Sequence, residues 1–269
     1  LANYSMHYFG QSPVSADYYG LFCDLIEKHL GGGMSAMSQG TSGDLMWMDY
    51  GAEKKNLTIE SYTEGVADYA KKALKKVHHV NHVPLGMIEK TLELNYRVPD
   101  EKRLEWARPI AAKIENDVPK NKEEVYAREA LILHERQKTN VKLQAIRIGD
   151  LSIATLPNEV YAITGLKLKA WSPFKAHFNI ELANGAEGYI PPIEQHTLGG
   201  YTTWPARTAG LDEKSEASIV GKLSEAANDL ASHKKEMTPS SHGESPKVIL
   251  NSKALAYFRC EDFSIFLRD

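Results

Sequence analysis

Leu156-Pro157-Asn158-Glu159-Val160-Tyr161 is the stretch on which the fold turns. It follows Leu151 to Leu156, an apolar run bounded by turn residues that predicts a buried strand. Pro157 ends that strand, because proline has no N–H to give a ladder. Asn158 has a good N-capping side chain, so a helix is expected through Ala162, Leu166 and Leu168, with Glu159 in its first turn. A carboxylate just past the C-terminal edge of a strand either complements the helix dipole or holds a ligand or a metal. This segment alone leaves both open.

Working outward, Val141 to Ile148 precedes the run across Gly149-Asp150, which predicts a hairpin. Before it lie two charged helices, roughly Asp100 to Asp117 and Lys122 to Lys138, whose charge runs read as solvated faces. Ile88, Leu92, Leu94, Tyr96 and Val98 alternate with polar residues, the pattern of an edge or outer strand with one face wet. Ser61 to His79 reads as an amphipathic helix. Its nearby His78, His79 and His82 have poor spacing for a metal and no acidic partner, so they read as a solvated helix end. Further upstream, Leu1 to Phe9 is expected to be a strand carrying His7, and Ser15 to cap a helix with Tyr18, Phe22 and Ile26 inward. Met34 to Met37 is a short strand opening the loop Ser38 to Asp44. That loop is either an ordinary turn or a cradle of amides and hydroxyls. The strands at Leu1, Met34 and Leu151 are expected to share one sheet.

Downstream, Lys175 to Leu182 is another strand. The segment Glu187 to Tyr201 is long, irregular and rich in Gly, Pro and Tyr, a composition of functional loops rather than of disorder. Asp212 is placed to cap a helix through Val220, Leu223 and Leu230. The residues after Ser232 read as a polar linker, with a short apolar appendix from Lys253 to Leu267.

The chain of 269 residues, 42% hydrophobic and 25% charged, can bury a sizeable core. A net charge of -3 exerts no global pull on nucleic acid or anionic membrane. Cys23 and Cys260 are too few for a disulfide framework and read as packed thiols. No apolar run reaches the length of a transmembrane helix. The chain opens without an initiator Met and inside a strand-like stretch, so it is expected to start within a longer protein.

Four segments in order resemble the catalytic region of the neutral/alkaline non-lysosomal ceramidases. They are Tyr4-Ser5-Met6-His7 with Val14 to Gly20, then Gly43-Asp44-Leu45-Met46, then Pro157-Asn158-Glu159, and last Gly199-Gly200-Tyr201. The resemblance spans roughly residues 1–230. It implies a mixed α/β sheet with packed helices, the C-terminal part of a ceramidase-like catalytic domain over residues 1–232, followed by linker and tail over 233–269. It implies zinc held by His7, Glu159 and Tyr201, Asp44 as general base, and Ser42, Met46 and Tyr189 on the substrate side. It also implies a small-molecule or lipid substrate, peripheral contact with a membrane, and a secreted or periplasmic location.

Two departures bear on activity. The family's first zinc histidine comes from a His-x-His segment upstream of anything in this chain, so the zinc site is expected to be incomplete here. The family's serine falls at Met46, and a methionine neither delivers a proton nor attacks a carbonyl. The resemblance therefore implies a zinc-dependent amide hydrolase related to ceramidase. The alternative is a catalytically inactive relative that binds lipid or glycan.

Overall fold

The computed structural model describes residues 1–10, 14–53, 55–79 and 83–232. His82 and the tail expected beyond Ser232 lie outside them. A four-stranded mixed sheet carries the architecture, built from β3 (Leu85–Asn95), β4 (Lys138–Ile148), β5 (Leu151–Thr155) and β7 (Ala176–Ile180) in the spatial order β3-β4-β5-β7. The expected hairpin is β4–β5, antiparallel, with Ile148 opposite Leu151. β7 then lies parallel to β5, which requires a crossover, and helix α5 (Ala162–Trp171) supplies it.

Burial follows position in the sheet. β3, the edge, alternates exposed and partly covered residues along most of its length. Its wet face carries the cross-strand pairs Lys138–Glu93 at 2.8 Å and Lys142–Glu89 at 3.3 Å. Exposed pairs of this kind contribute about 0–1 kcal/mol each. β5 is central, and four of its five residues are buried. Leu156, Val141, Leu143 and Leu168 join Ile219, Val220 and Leu223 of α6 (Ser215–Ser232) in the main core.

A second layer sits beyond β7. β1 (Ala2–Tyr4) and β2 (Met37–Gln39) pair in parallel as a ladder of their own. This corrects the expectation of one continuous sheet. The ladder meets the end of β7 through single contacts, Glu181 N–H to Gln39 O at 3.1 Å and Asn3 Nδ2 to Asn179 O at 2.8 Å. Helices α1 (Asp17–Leu30) and α2 (Ile59–Leu74) pack on one another through Phe22, Ile26 and Ala67. The first strand is also shorter than expected. After Tyr4 the chain leaves the ladder, and Met6 O accepts hydrogen bonds from the hydroxyls of Tyr18 at 2.9 Å and Tyr19 at 3.2 Å. Phe9 and Gly10 then donate their N–H groups to the Asp17 carboxylate at 3.0 and 3.1 Å. His7 therefore lies in a loop tied to α1, not in a strand.

The charged helices are α3 (Glu101–Ala111) and α4 (Lys122–Arg136), capped by Asp100 and Asn121. They form a hairpin joined at Ala107, Ala127 and Ala130. Glu129 is buried in α4 and takes Arg207 in a two-pronged pair, with Nε at 2.9 Å and Nη2 at 2.6 Å. That pair fastens the loop after residue 201 to the hairpin.

Candidate functional site

Glu159 does not open a helix. It forms, with Val160, the two-residue strand β6 (Glu159–Val160), which pairs in parallel with β8 (Tyr189–Ile190) so that Glu159 stands beside Tyr189. Asn158 is fully buried and donates through Nδ2 to Gly188 O at 3.3 Å, so it is not the expected N-cap. Helix α5 begins three residues after Glu159, behind Tyr161. The ladder overrides the local capping signal because Glu159 N–H is already taken by Gly188 O at 3.0 Å. Gly188 can approach this closely only without a side chain. Its φ is +73°, and a Cβ there would lie 2.4 Å from Thr208 O.

His7 reaches the same point from the opposite side. Its Nε2 is 3.3 Å from Glu159 Oε2 and 3.3 Å from the Tyr189 hydroxyl. Its Nδ1 lies 3.1 Å from Ser42 O. A carbonyl can only accept, so Nδ1 carries a proton, and Nε2 is the ring nitrogen that faces Glu159. Tyr201 donates its hydroxyl to the Tyr189 oxygen at 2.5 Å. The three residues expected to converge thus meet as a chain, His7 and Glu159 directly and Tyr201 through Tyr189. Burial pushes the Tyr189 phenol far up, helped by hydrogen bonds to Glu159 and Tyr201, and burial raises Tyr201 as well. Both phenols stay protonated at physiological pH.

The remaining candidates surround this core. Gly43 N–H donates to Val160 O at 2.7 Å, which lays the loop after β2 directly on β6. Asp44 is exposed, and its Oδ1 accepts the N–H of Ala162 at 2.7 Å, so it caps α5 from a distant loop. Met46 is 40% exposed. Ser42 is fully buried, its hydroxyl donated to Glu181 Oε1 at 2.5 Å. Tyr8 stacks on the His7 ring with centroids 5.4 Å apart. Among the described residues no three His, Cys, Asp or Glu side chains cluster as a metal site.

Sequence reasoning missed Glu181, which ends the strand segment after β7. Its carboxylate is 3% exposed and accepts Ser42 N–H at 3.1 Å, Val160 N–H at 2.7 Å and Gln39 Nε2 at 2.8 Å besides the Ser42 hydroxyl. No local signal marks a glutamate in an apolar run as a hub. Sequence also missed a buried network, Ser152 Oγ to His177 Nδ1 at 2.7 Å and His177 Nε2 to Asn179 Oδ1 at 2.9 Å. It has the order of a hydrolytic triad, but the cavity beside it holds only about 10 Å³. That is room for at most one water, so the network fastens β5 to β7.

These buried groups set opposing pH dependences. Burial pushes Glu181 up to about 7 from an ordinary 4.5, against hydrogen bonds that favour its charged form. Its contribution to stability is therefore full below pH 4.5 and is lost as pH rises toward about 7. Burial lowers His177 below its ordinary 6.5, so its contribution is full above pH 6.5 and is lost as pH falls. Glu181→Gln, which cannot ionise, is expected to gain stability over the wild type between pH 5 and pH 8, by up to about 3 kcal/mol. Urea denaturation at both pH values measures this. An unchanged difference would show that Glu181 titrates at its ordinary value.

Two large grooves lie elsewhere. One of about 680 Å³ runs between α3 and α4 past Trp106, Tyr126 and Trp204, and another of about 800 Å³ lies between β1, α1 and α2. Neither is lined by His7 or Glu159. The first touches the site's loop at Trp204, next to the short 3₁₀ turn of Tyr201–Thr203.

The layered α/β arrangement that positions these residues recurs in solved structures. The neutral ceramidase from Pseudomonas aeruginosa matches with a TM-score of 0.60 at 13% identity, over 91% of this chain and 46% of its own. A ceramidase complexed with C2 matches at 0.58 and 12% identity, over 88% and 47%. The chain therefore has the fold of part of a ceramidase and spans about half the length of these structures. No protein-family model matches it, and no curated protein matches it significantly.

Proposed function

We propose that this chain supplies part of the active site of a zinc-dependent hydrolase of amide bonds, acting on an N-acylsphingosine or another amide-linked lipid. The observation that carries this reading is the pairing of His7 Nε2 with Glu159 Oε2 at 3.3 Å. A neutral imidazole lone pair facing a carboxylate is repulsive unless a proton or a cation lies between them. Two donors each about 2.0–2.2 Å from one tetrahedral ion stand about this far apart, so the residues fit a metal. They also fit its usual support, since metal-binding histidines donate their other ring N–H to a carbonyl or carboxylate. Bound zinc would polarise an amide carbonyl and bring the pKa of its water toward 7.

The chain's own groups have definable parts. His7 and Glu159 hold the metal, and Glu159 supplies the compensating charge. Tyr201 donates its hydroxyl to the Tyr189 oxygen, so the Tyr189 proton is the hydrogen-bond donor on the side of the pair. Asp44 is assigned as general base toward water: one oxygen is fixed by the α5 terminus, and Oδ2 has no partner among the described residues. With Met46 in place of a serine, attack by water replaces attack by a hydroxyl side chain.

A second reading is a ceramidase-like protein that binds lipid or glycan without cleaving it. It is favoured by Met46 and by the two large grooves lying apart from the His7–Glu159 pair. Zinc titration of the metal-free protein, followed by assay of fatty-acid release from a short-chain N-acylsphingosine, separates the two. Stoichiometric zinc uptake with zinc-dependent release is the expected result. Lipid binding with neither would establish the second reading.

A further inference from the structure

We propose that Glu181 is the positioning residue of this site, one buried carboxylate that anchors both of its halves. The inference rests on taking His7 and Glu159 as the functional pair. Neither half belongs to a long ladder: His7 lies in a loop beyond β1, and Glu159 sits on a strand of two residues.

Glu181 Oε1 accepts the Ser42 hydroxyl at 2.5 Å and Gln39 Nε2 at 2.8 Å, while Oε2 accepts Val160 N–H at 2.7 Å and Ser42 N–H at 3.1 Å. From Ser42 the path to His7 is a single residue, because the Ser42 carbonyl holds His7 Nδ1 at 3.1 Å. From Val160 the path to Glu159 is a single peptide unit. One carboxylate thereby sets the tautomer and tilt of the imidazole and the position of the carboxylate facing it. This is the work of an outer-shell partner, which orients ligands it does not touch. Gln39 comes from β2, Val160 from β6, and Glu181 follows β7, so three separate ladders are locked at one group.

The test compares wild type, Glu181→Gln and Glu181→Ala. Glutamine retains an oxygen for the two backbone N–H groups, and its amide can meet Ser42 Oγ and a reoriented Gln39 amide. Alanine leaves those donors buried and unpaired. Two readouts are taken: the His7 tautomer by ¹⁵N NMR on metal-free protein at pH 8, and zinc affinity by competition with a chromophoric chelator. Wild type and Glu181→Gln are expected to keep His7 protonated at Nδ1. Glu181→Ala is expected to give mixed tautomers and to lose on the order of 10- to 100-fold in zinc affinity. A folded Glu181→Ala protein with an unchanged His7 tautomer overturns the proposal. If alanine prevents folding, Glu181→Asp serves: it keeps the charge but is one methylene too short to reach both segments. An unaltered His7 ring in that variant is equally fatal. Should the wild type bind no zinc, the metal reading fails, while the tautomer comparison still decides the role of Glu181.

Discussion

Glu159→Ala is expected to lower zinc affinity by at least 10- to 100-fold, on the order of what the loss even of an outer-shell partner costs. The substitution removes the only carboxylate in contact with His7 Nε2 among the described residues. It should leave the fold almost untouched. Glu159 joins β6 to β8 through its backbone, and its side chain is 23% exposed. A second readout comes from Tyr189, whose phenol is raised partly by its hydrogen bond to Glu159 and by that residue's charge. Its ionisation should move down in the variant, measurable as tyrosinate absorbance. Glu159→Gln separates charge from shape and is expected to fall between wild type and alanine. Equal zinc content in wild type and Glu159→Ala would remove Glu159 from the site, and with it the main support for a zinc hydrolase.

The largest effect on stability is expected at Leu156→Ala. Leu156 is fully buried in the main core with Val141, Leu143, Leu168 and Leu223, and it leads directly into Pro157 and Glu159. Its backbone bridges two segments, taking Ile180 O at 3.1 Å and giving its carbonyl to Ala183 N–H at 2.9 Å. Those bonds survive the substitution, so the cost is the lost side-chain burial plus the cavity, about 2–5 kcal/mol. For a chain of this size that is a fall in Tm on the order of 5–15 °C. Urea denaturation would show a lower midpoint at unchanged slope. A loss under about 1 kcal/mol would mean that the site collapses around the smaller residue. Met46→Ser, at a partly exposed position, should change stability by no more than about 0.5 kcal/mol, so a gain of activity there would be chemical in origin.

Much of the framework was legible because it depends on near neighbours. The alternation before Arg97 marked an edge strand, Gly149-Asp150 marked the hairpin, and the spacing of Tyr18, Phe22 and Ile26 marked the buried face of α1. The ordered segments at His7, Gly43, Pro157 and Gly199 pointed to a ceramidase-like fold, and the solved structures bear that out at the level of the fold. Local signals failed where a distant partner competed for the same backbone. Asn158 is a good cap by composition, but pairing with β8 took the next residue into a strand and left Asn158 buried. The strand expected through Phe9 stops at Tyr4 because the hydroxyls of α1 and the Asp17 carboxylate draw the chain away.

By itself the sequence determined the longer strands and helices with a buried face, since periodicity is set by residues two to four apart. It did not determine which side chains meet. Glu159 and Tyr189 are brought together by a two-residue parallel ladder across a separation of 30 residues, too short a pairing to leave a pattern. Glu181 becomes a hub because Gln39 at the end of β2, Ser42 in the loop beyond it and Val160 of β6 all aim N–H donors at the buried spot where the chain leaves β7. Only the tertiary structure decided that, because a buried donor must find an acceptor wherever the fold places one.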